Sequence, residues 1–131
     1  MIGLDTNILV RYLTQDDPVQ ARIASDVIER RISTANPGFV SVVAMAEMVW
    51  VLDRAYGVPA VDIASAVERL LQVEALDVES APAVFIAMIA LKDGVGSFGD
   101  ALIAELGAQA GCEHTLTVDR KALRIAGFAA A

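Results

Sequence analysis

The sequence predicts an α/β fold in which a central parallel sheet lies between layers of helices. Short apolar runs of strand length alternate with longer runs of helical periodicity, a pattern typical of strand–helix units and parallel sheets. The 131 residues are enough for one compact domain with its own core and leave little room for a second. Residues 1–131 are therefore expected to form a single domain.

Four strands and six helices are predicted along the chain. The strands are apolar runs too short for a helix, and capping residues, glycines or prolines bound most of the helices. In chain order we expect a strand at 2–4, helices at 7–13 and 17–32, a strand at 39–41, helices at 42–56 and 59–73, a strand at 76–78, helices at 80–92 and 98–110, and a strand at 115–118. Residues 120–131 are expected to form a short helical turn and a tail.

Local signals place the ends of these elements. Asp17-Pro18-Val19-Gln20 combines an N-cap acid, a first-turn proline and a capping-box glutamine at the start of the second helix. Gly57 ends the helix that begins at Val42, and Ser80 is expected to cap the helix that follows the third strand. Asp93-Gly94-Val95-Gly96-Ser97 is the most glycine-rich segment and indicates a loop.

The composition is strongly apolar, with 56% hydrophobic residues and a mean hydropathy of +0.54. Its two densest apolar stretches are interrupted by Ser41 and Glu47 and by Pro82, so neither reaches the roughly 18 residues of a membrane span. No basic segment followed by an apolar run and a cleavage site stands at the N-terminus. A soluble, cytoplasmic protein is expected.

The net charge argues against one class of protein, and the cysteine content excludes two kinds of site. The net charge of −7 argues against a nonspecific nucleic-acid binder held by a basic surface. Cys112 is the only cysteine, which excludes an internal disulfide and a thiolate metal site. An enzyme that gathers carboxylates in one place remains compatible with this acidity.

Two acids stand at the ends of predicted strands. Asp5 ends the first strand and Asp119 ends the last, and ligand sites in parallel sheets form beyond the carboxyl ends of strands. Each acid also has an ordinary interpretation. Asp5 would cap the helix at 7–13, and Asp119 would be a turn acid before Arg120.

Two further acids lie on predicted helices. Glu47 is the one acid among ten apolar residues between Val42 and Leu52, and an unpaired buried charge costs several kcal/mol. If buried, Glu47 needs a partner, either an arginine such as Arg11 or Arg54, or a metal ion. Asp100 starts an apolar helix, where it would either stabilise the helix N-terminus or join a metal site. Four such acids suit phosphoryl-transfer chemistry with divalent metals.

Other catalytic templates fit less well. His114 and Cys112 have no evident catalytic partner, so Cys112 is interpreted as a small buried residue. Gly94-Val95-Gly96 lacks the Lys-Ser/Thr ending of a phosphate-binding loop. Trp50 and Met45 lie on the apolar helix and are expected in the core.

Four segments resemble the successive motifs of PIN-domain ribonucleases, specifically VapC-like toxins of type II toxin–antitoxin pairs. They are Met1–Leu13, Ser41–Leu52, Phe98–Ala104 and Leu116–Lys121. Each motif is short, but together they occur in the family's order and spacing and cover essentially the whole chain. The resemblance implies a three-layer, Rossmannoid PIN fold with a central parallel sheet of four to five strands.

The resemblance also implies site residues. The catalytic and metal-binding acids would be Asp5, Glu47, Asp100 and Asp119, holding one or two Mg²⁺ or Mn²⁺ ions. Polar support would come from Thr6, Asn7, Ser41 and Thr117, and contacts to RNA phosphates from Arg11, Arg120 and Lys121, for which a solvated role is the alternative. The family often has an acid where Ser97 stands, so a fifth ligand is in doubt. It also commonly has a phenylalanine where Val118 stands, a packing change that is expected to be harmless.

The implied function is an endoribonuclease that hydrolyses RNA with metal-activated water and acts as a toxin. A small antitoxin would neutralise it, and a homodimer is expected. The alternatives are a PIN-fold housekeeping nuclease, a non-catalytic binding module, and a metal-dependent phosphatase or DNA nuclease using the same acids.

Overall fold

The computed structural model describes residues 1–131 and contains five short strands and six α-helices. The strands are Ile2–Gly3 (β1), Gly38–Val40 (β2), Leu76–Val78 (β3), Thr115–Thr117 (β4) and Phe128–Ala130 (β5). The helices are Thr6–Thr14 (α1), Pro18–Asp26 (α2), Val42–Arg54 (α3), Ala60–Leu71 (α4), Ala81–Lys92 (α5) and Phe98–Gln109 (α6). A π-helical turn at Val27–Arg31 continues α2, and a 3₁₀ turn at Ala122–Arg124 precedes β5.

All strand pairs are parallel, which confirms the predicted α/β class. β2 lies between β1 and β3, and Gly38 of β2 is opposite Ile2 on one side and Leu76 on the other. β4 and β5 pair in a second, two-stranded sheet. Five strands are thus present, but hydrogen bonds divide them into groups of three and two.

One continuous hydrophobic core joins the helices to the first sheet. It is a cluster of 27 buried residues that runs from Leu4 to Ile125. Its largest fully buried side chains are Phe98, Leu9, Met45, Met48, Ile63, Leu70 and Met88. Burial of this apolar surface provides the main driving force for folding.

None of the six helices has the length and apolar character needed to cross a membrane.

The predicted helix starts are confirmed in position, with two corrections to the caps. Asp17 accepts hydrogen bonds from the backbone N–H groups of Val19 and Gln20, as an N-cap acid does. The Gln20 side chain does not return to Asp17, since its Oε1 accepts a hydrogen bond from Arg11. Ser80 makes no capping hydrogen bond because its backbone is left-handed, with φ of 50°.

Two predictions for the last third of the chain are wrong. The tail is not irregular, because Phe128–Ala130 pairs with Thr115–Thr117 as β5. This strand has little β-forming sequence of its own and depends on that long-range pairing. Cys112 is exposed rather than buried, since it lies in the turn after α6, beyond the core-facing side of the helix.

Gly96, in the loop before α6, packs directly against a buried side chain. A Cβ atom at this position would collide with Cδ1 of Ile125, which is buried, and would lie 2.7 Å from its Cγ1. Gly96→Ala is therefore expected to destabilise the fold by about 1–3 kcal/mol, as overpacking typically does. Chemical denaturation measures this. Gly3→Ala is the matched control because nothing lies within 4 Å of its Cβ position, and a cost for Gly96→Ala equal to that of Gly3→Ala would contradict the packing argument.

Candidate active site

The carboxyl ends of β1, β2 and β3 lie at one edge of the first sheet because the three strands are parallel. Asp5 follows β1 at this edge and is exposed. It is also the N-cap of α1, with Oδ1 accepting a hydrogen bond from the backbone N–H of Thr6 at 2.8 Å. The helix-cap interpretation of Asp5 is therefore realised, and its carboxylate still faces solvent.

Glu47 is exposed, so the condition of burial under which it would need a partner is not met. Helix α3 turns only part of its apolar surface to the core, and the stripe that carries Glu47 also carries exposed Val43 (73%) and Trp50 (61%). Trp50 is thus not a core residue, whereas Met45 is. Neither suggested arginine pairs with Glu47, since Arg11 contacts Asp16 and Arg54 contacts its neighbour Asp53.

A groove between α3 and the start of α6 contains two of the four acids. Its volume is about 580 Å³, and Glu47 and Asp100 both line it. Asp100 lies in the first turn of α6, where its backbone N–H donates to Oγ of Ser97 at 3.1 Å. Ser97 therefore caps α6 at the position where an acid often stands in the resembled family. Neither Asp5 nor Asp119 lines this groove.

Asp119 follows β4, in the second sheet. Thr117 Oγ1 accepts a hydrogen bond from the Asp119 backbone N–H at 3.0 Å, and Asp119 Oδ1 accepts one from the Lys121 N–H at 2.9 Å. These bonds hold the turn after the strand. The side chains of Arg120 and Lys121 are exposed and form no ion pair within the chain.

The other predicted polar residues lie at the starts of α1 and α3. Thr6 is the one buried polar residue of the protein, and Asn7 beside it is exposed. Ser41 caps α3, with Oγ accepting a hydrogen bond from the Ala44 N–H at 3.0 Å. These contacts fix the first turns that follow β1 and β2.

Glu79 is an acid at the same sheet edge that the sequence reasoning missed. It follows β3 directly, and its Oε1 accepts a hydrogen bond from the backbone N–H of Val42 at 2.9 Å. The signal was available, because Glu79 stands after a predicted strand as Asp5 does. Its carboxylate supports the start of α3, close in sequence to Glu47.

The four predicted acids are not neutralised by basic side chains. All three ion pairs of the protein lie elsewhere, at Arg11–Asp16, Arg30–Asp26 and Arg54–Asp53. Carboxylate oxygens are the ligands that Mg²⁺ and Mn²⁺ prefer, so the donor chemistry of the set fits a divalent cation.

The structure does not bring three of the four acids together. No group of three acidic, histidine or cysteine side chains is close enough to hold one ion. Two uncompensated carboxylates 4 Å apart repel each other by about 4 kcal/mol at an effective dielectric constant of 20. In addition, Asp5 and Asp119 are each engaged in a local backbone hydrogen bond.

Arg11, a predicted phosphate contact, belongs to a polar network that ties α1 to the end of α3. Its Nη1 donates to Asp16 Oδ1 at 2.9 Å, and its Nε donates to Gln20 at 2.7 Å. Tyr56 donates its hydroxyl hydrogen to Asp16 Oδ2 at 2.8 Å, and Thr14 donates to Oδ1 at 2.7 Å. Much of the hydrogen-bonding capacity of Arg11 is therefore used within the chain.

This network makes a pH-dependent contribution to stability. The hydroxyls of Thr14 and Tyr56, followed by Arg11, hold the pKa of Asp16 well below its ordinary value. A lowered folded-state pKa stabilises the fold above the unfolded-state pKa of about 4, and the contribution is lost as the pH falls below that value. Asp16→Asn should lower the thermal midpoint at pH 7, and the difference from wild type should shrink below pH 4. A difference that stays constant from pH 7 to pH 2 would contradict this assignment.

The comparisons with known proteins give one match. The family model described as PIN domain matches residues 2–128, nearly the whole chain. No curated protein and no solved structure matches it.

Proposed function

Because this chain belongs to the PIN-domain family, whose model matches residues 2–128, we propose that it is a metal-dependent endoribonuclease and the toxin of a toxin–antitoxin pair. PIN domains are generally nucleases that use divalent metals. The substrate and the toxin role go beyond what family membership establishes.

One observation carries the proposal. Each of the four motif acids, Asp5, Glu47, Asp100 and Asp119, is free of any ion pair within the chain. Glu47 and Asp100 face one groove from two different helices. Two acids kept only for surface solubility have no need to line one groove, whereas a site for a cation and a phosphodiester needs carboxylates from different elements.

In the proposed reaction these four carboxylates would hold one or two Mg²⁺ or Mn²⁺ ions. Such an ion supplies positive charge that offsets the carboxylates and polarises the phosphodiester. Asp5 is the proposed central ligand, fixed by its place at the start of α1. Ser41 caps the helix that carries Glu47, and Thr117 holds the turn that carries Asp119.

Glu47 has the exposure needed to accept a proton from the attacking water. The water oxygen bonds to phosphorus while the bond from phosphorus to O3′ breaks, and solvent protonates the leaving oxygen. The products are a 5′-phosphate and a 3′-hydroxyl. Arg120 and Lys121, exposed and unpaired, are the proposed contacts to RNA phosphates outside the reacting centre.

The toxin role implies two protein partners. A small antitoxin would cover the acidic site, and a second copy of the chain would form a homodimer. The exposed large apolar side chains of the helices supply surface for such contacts. The core that runs from Leu4 to Ile125 supports treating residues 1–131 as one domain in this assembly.

Cleavage assays test the enzymatic part. Single-stranded RNA, structured RNA and DNA are each incubated with the wild-type protein and Mg²⁺ or Mn²⁺, with and without EDTA. We expect RNA cleavage that EDTA abolishes, and weak RNA binding in the absence of metal because of the net charge of −7. Preferred cleavage of DNA, or tight RNA binding without metal, would count against the proposal.

Expression in a bacterial host tests the toxin part. We expect growth arrest that Asp5→Asn relieves, and relief of the wild-type arrest by co-expression of a short neighbouring reading frame. An active nuclease that leaves growth unchanged would point to a housekeeping enzyme of the same fold.

A further inference from the structure

The groove between α3 and α6 combines acidic and large apolar side chains. Glu47 on α3 and Asp100 on α6 supply two carboxylates. Three residues further along each helix, close to one turn, the same groove is lined by Trp50 and Ile103. Their exposed fractions are 61% and 54%, so both large apolar side chains are largely uncovered.

Trp50 is the only tryptophan of the chain, and its exposed side chain is not part of the core of the fold. Neighbouring positions Met48, Val49 and Leu52 supply the core-facing side of α3. An exposed indole in a groove offers a flat face for stacking. The groove volume of about 580 Å³ lies within the range typical of sites for small ligands.

Arg54 continues the same helical stripe beyond Trp50. Glu47, Trp50 and Arg54 follow one another at spacings of three and four residues and all line the groove. The ion pair of Arg54 with Asp53 is 3.6 Å long and exposed on both sides, a type of pair that contributes little. Arg54 is therefore available to a phosphate next to the tryptophan.

We infer that Trp50 and Ile103 form a subsite for one unpaired nucleobase of a nucleic acid strand. A phosphate of the same strand lies beside Glu47 and Asp100. The inference rests on the proposed nuclease function and adds a stacking residue and a preference for single strands. Aromatic side chains bind unstacked bases of every sequence through their faces. A base inside a duplex has no free face to offer, so the subsite selects unpaired substrate.

In the free protein the charges of the groove favour a nucleic acid strand over a protein as its occupant, and the proposed antitoxin would compete with that strand for the groove. Glu47, Asp53, Arg54 and Asp100 all line it, whereas the buried centres of protein interfaces are depleted in charged residues. Along α3 the groove presents an acid, an aromatic ring and an arginine in that order. A nucleic acid strand, with alternating phosphates and bases and an accompanying cation, matches this order.

The test uses Asp5→Asn as the background, because this change is expected to stop cleavage and Asp5 does not line the groove. A fluorescein-labelled single-stranded 12-nucleotide RNA, free or annealed to its complement, is titrated in Mg²⁺ and followed by anisotropy. Added Trp50→Ala should raise the Kd for the single strand about 10-fold and leave the Kd for the duplex unchanged. Trp50→Phe should restore most of the affinity. Phe85→Ala, an exposed aromatic residue on α5 outside the groove, is the matched control.

The fluorescence of Trp50 gives a second reading in the same background. Since no other tryptophan is present, quenching by the unlabelled single strand reports stacking at this position. Three results would each overturn the inference. They are an unchanged Kd for Trp50→Ala, equal losses of affinity for single strand and duplex, and a change in the oligomeric mass of the Trp50→Ala protein on light scattering. None of these outcomes affects the proposed cleavage. Conversely, quenching by single strands in a protein that cleaves nothing would leave the subsite in place and remove the nuclease.

Discussion

Replacing Asp100 by asparagine is expected to lower kcat/KM for RNA cleavage by about 100-fold or more. The change removes one negative charge from the groove and keeps the size of the side chain. Loss of even an outer partner of a metal site typically costs 10–100-fold, and Asp100 is a proposed direct ligand. Initial rates at several RNA concentrations in Mg²⁺ measure the effect. Asp5→Asn is expected to behave in the same way.

The fold should tolerate Asp100→Asn. The capping bond from the Asp100 N–H to Ser97 involves the backbone and remains, and the lost interaction with the helix dipole costs about 0.3–1 kcal/mol. Asp77→Asn is the matched control, since Asp77 is an exposed acid on β3 outside the groove. Equal rates for wild type, Asp100→Asn and Asp77→Asn would contradict the assignment of Asp100.

Replacing Phe98 by alanine is expected to be the most destabilising of these changes. Phe98 is 2% exposed and is the largest fully buried side chain, at the first residue of α6. Truncation of a buried phenylalanine costs about 3–5 kcal/mol. At about 4 °C per kcal/mol for a chain of this length, the thermal midpoint should fall by about 10–20 °C.

Phe85→Ala is the control for this measurement, because Phe85 is 48% exposed on α5 and its loss leaves no internal cavity. Its midpoint should stay within a few degrees of wild type. Similar losses for the two phenylalanines would show that the start of α6 is not anchored by Phe98. The anchoring matters for function because Asp100 lies only two residues beyond Phe98.

Elements with strong local signals were predicted closely from the sequence. Helix α3 begins at Val42, as expected, although Ser41, predicted as the last residue of the preceding strand, is its cap, and α6 begins at Phe98 after the glycine-rich loop. Such boundaries depend on hydrogen bonds between residues three or four apart. Both partners of each bond therefore lie within one short stretch of the sequence. Strand β5 depends instead on pairing with β4, so residues 128–130 alone carry little signal for it.

The position of Glu47 shows where sequence reasoning fails in the site. An apolar run suggested a helix buried on all sides, but Val43 and Trp50 are left exposed beside Glu47. The residue composition of a helix does not show how much of its surface the rest of the chain covers. Because Trp50 was assigned to the core together with Met45, its place in the groove was not predicted.

The motif acids were singled out by their places at strand ends and on helices, and the resemblance to the family's motifs joined them into one set; the structure places Glu47 and Asp100 in one groove. It does not place Asp5 and Asp119 there. Side-chain positions at an uncompensated acidic site depend on the ion it binds as well as on the backbone.

The ends of the RNA fragments test the central proposal most directly. A 5′-labelled and a 3′-labelled single-stranded RNA are incubated with wild-type protein in Mn²⁺ or Mg²⁺, with EDTA and Asp5→Asn as controls. Hydrolysis by water predicts internal cuts with 5′-phosphate and 3′-hydroxyl ends, absent in both controls. Cuts that persist in EDTA and leave 2′,3′-cyclic phosphates would show attack by the RNA's own 2′-hydroxyl and contradict a metal-dependent hydrolase.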